Sequence, residues 1–177
     1  MATLFVRLPN HVGDAVMTMP ALNLLEAAGF KLYLIGKPFV GEVFEGTNRR
    51  FDPIEGNLLD DIKRIRDLAA SVKNPRGILM PNSFGSALLF KSAGIQSTGL
   101  ATDGRSILLE HAIPEPPRMH EVERFWYVAY EALKAMGIKP PYTKLTKRIN
   151  MKLAARNEAG ARNLAAKIGL PKRYAIL

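Results

Sequence analysis

The stretch LPNHVGDAVMT, residues 8–18, lies between an apolar run and a long apolar segment, so it predicts the turn between a first strand and a first helix. We expect the strand at Thr3–Leu8 and the helix at about Asp14–Ala28, with Gly13 in the turn and a kink or restart at Pro20. Doubly wound α/β proteins place their first ligand loop in this position. The usual glycine-rich phosphate fingerprint is absent, and the predicted helix opens on an acid.

The remaining sequence alternates between strand and helix patterns. Strands are predicted at Lys31–Ile35, Gly77–Met80 and Tyr174–Leu177, residues 47–57 hold a short strand at best, and 97–110 predict two short strands around the turn Asp103-Gly104. Helices are predicted at Phe39–Glu45, Leu58–Val72, Ala87–Ala93, Val122–Met136 and Lys152–Ile168. This alternation predicts an α/β fold, a Rossmann-like doubly wound and mostly parallel sheet with helices on both faces.

Composition narrows the class of protein. The chain has 177 residues and no cysteine, which excludes disulfide scaffolds and thiolate metal sites and is compatible with a reducing compartment. The formal net charge is +9, and residues 119–177 hold 12 Lys and Arg against 4 Asp and Glu. Such a surplus suits an anionic partner, although general solubility explains it equally well. No signal peptide or membrane span is visible in the sequence.

Two segments follow strand ends, where open α/β sheets bind ligands: Pro9–Asp14 and Pro81–Ser86. Asp14 has two interpretations. It is a favoured helix N-cap residue, and it is also a candidate general base whose ionised form the helix N-terminus favours.

Other polar residues in these segments are weaker candidates. His11 could bind an anion, Asn82 and Ser83 could contact a ligand or cap a helix, and Arg105 or Arg49-Arg50 could grip a phosphate. The dense group His120, Glu121, Glu123 and Arg124 is better explained as an ion-pair network. The three histidines lack metal-ligand spacing, so no metal site is expected.

Four stretches resemble the ADP-heptose:lipopolysaccharide heptosyltransferases, glycosyltransferase family 9. They are RLPNHVGDAVMTMPAL, ILMPNSFGSALLFKSAGI, GLATDGRSILL and HEVERFWYVA, at residues 7–22, 78–95, 99–109 and 120–129. The matches occur in the family's order, and the second is more similar to the heptosyltransferase II branch.

The resemblance implies one part of a two-domain GT-B enzyme. It implies an N-terminal Rossmann-like acceptor-binding domain at 1–150, an interdomain helix and linker at 151–172, and at 173–177 the start of a C-terminal domain that binds ADP-heptose. The implied reaction inverts the anomeric centre and needs no metal or other cofactor.

The resemblance also assigns residues and partners. The family's catalytic base falls on Asp14, and the acceptor-binding positions fall on Asn10, His11, Gly13, Asn82, Ser83, Ser86 and Arg105. The implied acceptor is the lipid-linked inner core of lipopolysaccharide, reached in the cytoplasm with peripheral contact to the inner membrane. On this view the isolated chain is inactive.

Two alternatives remain open from the sequence. One is a stand-alone binding module for an anionic glycan or nucleotide. The other is nucleic-acid binding, which the charge alone suggests but which no recognisable motif supports, since aromatic residues are few. Nucleic acid is therefore not an expected partner.

Overall fold

In the computed structural model, which describes residues 1–145, 149 and 155–169, six parallel strands form one sheet with helices on both faces. The strands are β1 (Ala2–Arg7), β2 (Phe30–Gly36), β3 (Arg50–Pro53), β4 (Arg76–Leu79), β5 (Gln96–Leu100) and β6 (His111–Ile113). Their order across the sheet is β3-β2-β1-β4-β5-β6, and every neighbouring pair is parallel. This order is that of a doubly wound Rossmann-like sheet, so the predicted fold class is confirmed.

Five helices lie between consecutive strands along the chain, and two more follow β6 in the described part of the chain. They are α1 (Val12–Met17), α2 (Met19–Ala27), α3 (Pro38–Gly41), α4 (Leu58–Ala70), α5 (Phe84–Ser92), α6 (Glu121–Ala135) and α7 (Ala155–Lys167). Short 3₁₀ turns at Glu42–Phe44 and Arg105–Leu108 complete the connections. The predicted strand Tyr174–Leu177 and the first three residues of the predicted helix Lys152–Ile168 lie outside the described residues.

The core divides between the two faces because side chains alternate along each strand. In β1, Leu4 and Val6 pack in a cluster with helices α2 and α6, which we call the α2/α6 face. Phe5 points the other way and packs with helices α4 and α5, the α4/α5 face. The fully buried residues Leu4, Phe5 and Val6 are apolar because both faces of the strand are covered, whereas the next residue, Arg7, is buried and charged.

The first helix is broken, as Pro20 predicts. Helix α1 ends at Met17, and Pro20 occupies the second position of α2, where a missing backbone N–H is tolerated. Thr18 separates the two helices; it is fully buried, and its hydroxyl donates to the Ala15 carbonyl at 2.6 Å. The segment before this break is therefore a separate helix of six residues.

The two short strands predicted within residues 97–110 correspond to β5 and β6, but β6 begins only at His111. The turn exists, with φ of 49° at Asp103 and 67° at Gly104, but β6 runs parallel to β5. The connection buries Leu109 against the α4/α5 face before the chain re-enters the sheet. Covering this face requires a crossover and cannot be achieved by a tight antiparallel return.

Gly41, the last residue of α3, has no room for a side chain. A Cβ at this position would lie 2.5 Å from the Phe51 ring. We expect Gly41→Ala to lower the free energy of unfolding by about 1–3 kcal/mol, measured by urea denaturation, because the ring must shift within a packed site. Gly85→Ala is the control, since no described atom lies within 4 Å of its Cβ position. Equal midpoints for both variants would show that the Phe51 ring moves aside freely.

Within the described residues, none of the helices has both the length and the apolar character required to cross a membrane.

Candidate functional site

The candidate site lies where the direction of strand order reverses. Strands β1 and β4 are parallel neighbours, with Arg7 opposite Leu79 in the register, yet the chain leaves them toward opposite faces of the sheet. After β1 it enters α1, whose Ala15 packs on the α2/α6 face, and after β4 it enters α5, whose Ala87 packs on the α4/α5 face. In open α/β sheets, two connections that diverge in this way leave a crevice between them beyond the carboxyl ends of the strands. Ligands of open α/β sheets bind at this point.

Asp14 is not the N-cap of the first helix. The helix begins two residues earlier than predicted, because His11 has the extended backbone of a cap residue and its carbonyl accepts the first helical hydrogen bond from the Ala15 N–H at 2.9 Å. Asp14 therefore occupies the third helical position. Its side chain is half-buried and has no hydrogen-bond or ion-pair partner among the described residues. The N-cap interpretation is wrong, and a free carboxylate remains beside the crevice.

The other candidates after β1 are exposed. The Asn10 side chain accepts a hydrogen bond at 2.7 Å from Arg7 Nη2, which fixes its orientation. His11 makes no side-chain cap. Gly13 lies inside the helix and not in the turn, its φ is not in the left-handed region, and no described atom lies within 4 Å of its Cβ position. The fold does not require glycine at this position.

The candidates after β4 differ in burial, since Ser83 is exposed, Asn82 is half-buried and Ser86 is buried. Ser83 is the N-cap of α5, and its hydroxyl accepts from the Ser86 N–H at 3.4 Å. The Ser86 side chain is buried and donates to the Ser83 carbonyl at 2.7 Å. Asn82 is half-buried; its backbone carbonyl accepts from the Thr102 hydroxyl at 3.2 Å, whereas its side-chain Oδ1 is a buried acceptor with no partner among the described residues.

Arg105 differs from the exposed phosphate ligand that the sequence suggested. It is fully buried, and its guanidinium donates to backbone carbonyls of the neighbouring loop, including that of Pro81 at 2.6 Å. Burial lowers the pKa of Arg105 to about 10, against the opposing effect of the Asp103 carboxylate, so the side chain is charged at neutral pH. In this position Arg105 supports the loop from beneath.

An internal repeat underlies the site, and the sequence analysis missed it. Residues 8–15 read LPNHVGDA and residues 80–87 read MPNSFGSA, so Pro, Asn, Gly and Ala recur at the same spacing. In both copies the fourth residue is the N-cap, the fifth is an exposed apolar residue and the sixth is a glycine with open space around its Cβ position. Val12 is 46% exposed and Phe84 is 43% exposed. An internal comparison of the sequence would have found the pair and would have added Phe84 and Gly85 to the candidates.

Several charged candidates are engaged in the structure. Arg49 pairs with Glu26 at 2.7 Å, and Arg50 lies over the Tyr33 ring at 4.7 Å from its centroid. Of the ion-pair network predicted before α6, one pair is present among the described residues, between Arg124 and Glu121, whereas His120 and Glu123 form a capping box with backbone N–H groups. Among the described residues, no three His, Asp or Glu side chains converge in a way that could hold a metal ion.

The sequence matches the model of glycosyltransferase family 9 (heptosyltransferase) over residues 65–176. A comparison with curated proteins gave no match.

Solved heptosyltransferases share the fold. The Escherichia coli ADP-heptose lipopolysaccharide heptosyltransferase II is 21% identical with a TM-score of 0.69, and the match covers 97% of this chain and 52% of that one. A family 9 glycosyltransferase from Veillonella parvula is 14% identical with a TM-score of 0.77, and the match covers 97% of this chain and 50% of that one. The E. coli heptosyltransferase WaaC with ADP is 18% identical with a TM-score of 0.66, and the match covers 83% of this chain and 51% of that one. The chain therefore spans about half the length of these proteins and has the fold of one half of them.

Proposed function

Because the chain belongs to glycosyltransferase family 9, we propose that it forms the acceptor-binding half of an inverting heptosyltransferase. In this proposal the enzyme transfers heptose from ADP-heptose to the lipopolysaccharide inner core, in the cytoplasm at the surface of the inner membrane. The solved relatives with ADP and with an ADP-heptose analogue support a nucleotide-sugar donor. The observation that carries the proposal is the unpartnered Asp14 carboxylate at the crevice, next to the exposed Gly13.

The chemistry requires one base on this side of the crevice. As the acceptor hydroxyl oxygen bonds to the anomeric carbon, the bond from that carbon to the ADP phosphate oxygen breaks, and Asp14 takes the hydroxyl proton. ADP leaves as a stabilised anion and needs no proton from an acid, unlike the leaving group in glycoside hydrolysis. A single carboxylate is therefore sufficient for an inverting displacement.

The remaining candidates divide by exposure. Asn10, His11, Gly13 and Ser83 reach the surface of the crevice and are proposed to contact the acceptor, together with the half-buried Asn82. Ser86 and Arg105 are buried and are proposed to support the loop from below. The donor is held mainly by the other half of the enzyme, and the basic surplus of the sequence faces the phosphorylated lipid.

The proposal separates binding from transfer, so each can be measured on its own. We expect the purified 177-residue chain to bind deacylated inner-core oligosaccharide in isothermal titration calorimetry and to transfer no heptose from ADP-heptose. Joining the chain to a donor-binding half should restore transfer. Absence of binding, or transfer by the chain alone, contradicts the proposal; binding without any transfer by the joined protein favours a stand-alone binding module.

Gly13 provides a test that leaves the fold intact. Gly13→Ala is expected to leave the free energy of unfolding unchanged or raise it by up to about 1 kcal/mol, because alanine is the better helix former. The added methyl group projects into open space, where the acceptor is proposed to lie, so we expect binding to weaken by about tenfold or more. Gly160→Ala in α7 is the matched control, since its Cβ position is also open among the described atoms. Wild-type affinity in Gly13→Ala would remove Gly13 from the acceptor site.

A further inference from the structure

Each copy of the repeat is held by one buried arginine. In the second copy, Arg105 Nη1 lies 2.6 Å from the Pro81 carbonyl, 3.4 Å from the Ser83 carbonyl and 3.3 Å from the Ser86 hydroxyl. Its Nε donates to the Leu100 carbonyl at 2.8 Å, at the end of β5. One guanidinium therefore joins the end of a strand to three acceptors in the adjacent loop.

Arg7 has the corresponding role in the first copy. It is 5% exposed, at the end of β1, and it donates through Nη1 to the Leu8 carbonyl and through Nη2 to Asn10 Oδ1 at 2.7 Å. Because side chains alternate along β1, Arg7 lies on the same face as Phe5, the α4/α5 face. Arg105 lies on this face too, since its Nη2 and the Cβ of Leu79 both border the Gly99 Cβ position. The two arginines therefore lie on the same side of the sheet, one strand apart on either side of β4.

Neither arginine is hydrogen-bonded to a carboxylate among the described residues. Burial lowers the pKa of Arg7 to about 10, as it does for Arg105, while the Asp61 charge acts in the opposite direction. Arg7 Nε and Arg105 Nη2 are also buried without a partner among the described residues. A buried cation in this state destabilises the fold relative to an apolar side chain of similar size. Stability alone does not account for two such residues at one edge of the sheet.

We propose that Arg7 and Arg105 are a matched pair of positioning residues that fix the two copies of the repeat, and thereby the width of the crevice that receives the acceptor. The inference rests on the proposed function. The guanidinium suits this role because it donates several hydrogen bonds in one plane, which lysine cannot do. Gly99 makes the arrangement possible, since a Cβ at that position would lie 3.0 Å from Arg105 Nη2 and 3.2 Å from Leu79 Cβ.

The test compares variants that disturb the α4/α5 face at the carboxyl ends of the strands with one that disturbs the same face near the start of β4. Arg105→Lys and Arg7→Lys keep the charge and remove the planar set of donors, and Gly99→Ala pushes on the Arg105 guanidinium without removing a donor. Gly77→Ala is the control: its Cβ would lie 2.7 Å from Phe90 and 2.8 Å from Ile95, near the start of β4 and away from both loops. Each variant of the 177-residue chain is titrated with deacylated inner-core oligosaccharide well below its Tm, and amide exchange is measured over residues 82–86.

We expect affinity to fall by about tenfold or more in Arg105→Lys, Arg7→Lys and Gly99→Ala, because small displacements of binding groups have large effects. Exchange at residues 82–86 should quicken in Arg105→Lys and Gly99→Ala. Gly77→Ala should lower the Tm and change neither affinity nor exchange at these residues.

Wild-type affinity in Arg105→Lys overturns the positioning role. So does a loss of affinity in Gly77→Ala in proportion to its lowered Tm, because affinity would then depend on general stability. If the wild-type chain binds no oligosaccharide, the proposed function fails; amide exchange then decides the positioning role alone, with quickened exchange in Arg105→Lys supporting it and unchanged exchange overturning it.

Discussion

Asp14→Asn is expected to lower heptose transfer by about 100-fold or more in an enzyme that joins this chain to a donor-binding half, with little change in acceptor affinity. The substitution keeps the size and polarity of the side chain and removes its capacity to take a proton. The carboxylate has no partner among the described residues, so the fold loses no contact when it is neutralised. The measurement is single-turnover transfer, together with the Tm and the affinity for deacylated inner-core oligosaccharide.

Asp60→Asn is the matched control for this experiment. Asp60 occupies the same third position of a helix, in α4, and is exposed; α4 follows β3, the edge strand on the far side of β2 from β1. Any general effect of an acid in the first turn of a helix, about 0.3–1 kcal/mol, should appear equally in both variants. Loss of transfer in Asp14→Asn alone assigns the proton to Asp14. Normal transfer in Asp14→Asn leaves the residue with an electrostatic role in the helix and requires another base.

Asp61→Ala is expected to destabilise the chain by about 3 kcal/mol. Asp61 is buried, and its carboxylate accepts hydrogen bonds from the backbone N–H groups of Glu55 and Gly56, both at 3.0 Å, and from Arg64 Nη2 at 2.9 Å. Alanine leaves these donors without their acceptor. It also removes the negative charge that partly offsets the lowering of the Arg7 pKa by burial. Urea denaturation measures the loss as a shift of the midpoint.

Asp60→Ala is the comparison at the neighbouring position, where the exposed side chain should contribute little. A second variant tests the charge argument. Arg7→Met should change the free energy of unfolding more favourably in the Asp61→Ala background than in the wild-type chain, because the carboxylate that offsets the buried Arg7 charge is then absent. Additive effects would show that the two charges do not interact measurably, and the hydrogen bonds that Asp61 accepts from Glu55, Gly56 and Arg64 would then account for the whole effect of Asp61→Ala.

Local sequence patterns predict most of the strands, and they also predict which edge of the sheet carries the candidate site. Apolar runs identify β1, β2 and β4, and the apolar spacing of residues 58–72 identifies α4, because these segments are buried on one or both sides. The parallel pairing of β6 could not be predicted, because a turn at Asp103-Gly104 is compatible with either a parallel or an antiparallel neighbour.

The details of the site depend on contacts that a pattern does not encode. The start of α1 was misplaced because Asp14 is a favoured cap residue, whereas His11 supplies only its backbone. Arg105 looked like a surface cation, and its burial depends on the space left by Gly99. Arg7 carried a signal that was overlooked: a charged residue within a strand that is otherwise apolar on both faces.

The internal repeat gives the crevice two walls of the same design and different chemistry. Asp14 in the first copy corresponds to Ser86 in the second, so one wall presents a carboxylate where the other has a hydroxyl turned inward to the Ser83 carbonyl. If the two walls are alike in backbone, a substrate with a similar profile at both ends could enter in either direction. Under the proposed function, the productive orientation is the one that brings the acceptor hydroxyl to Asp14, because the second copy has no carboxylate at the corresponding position.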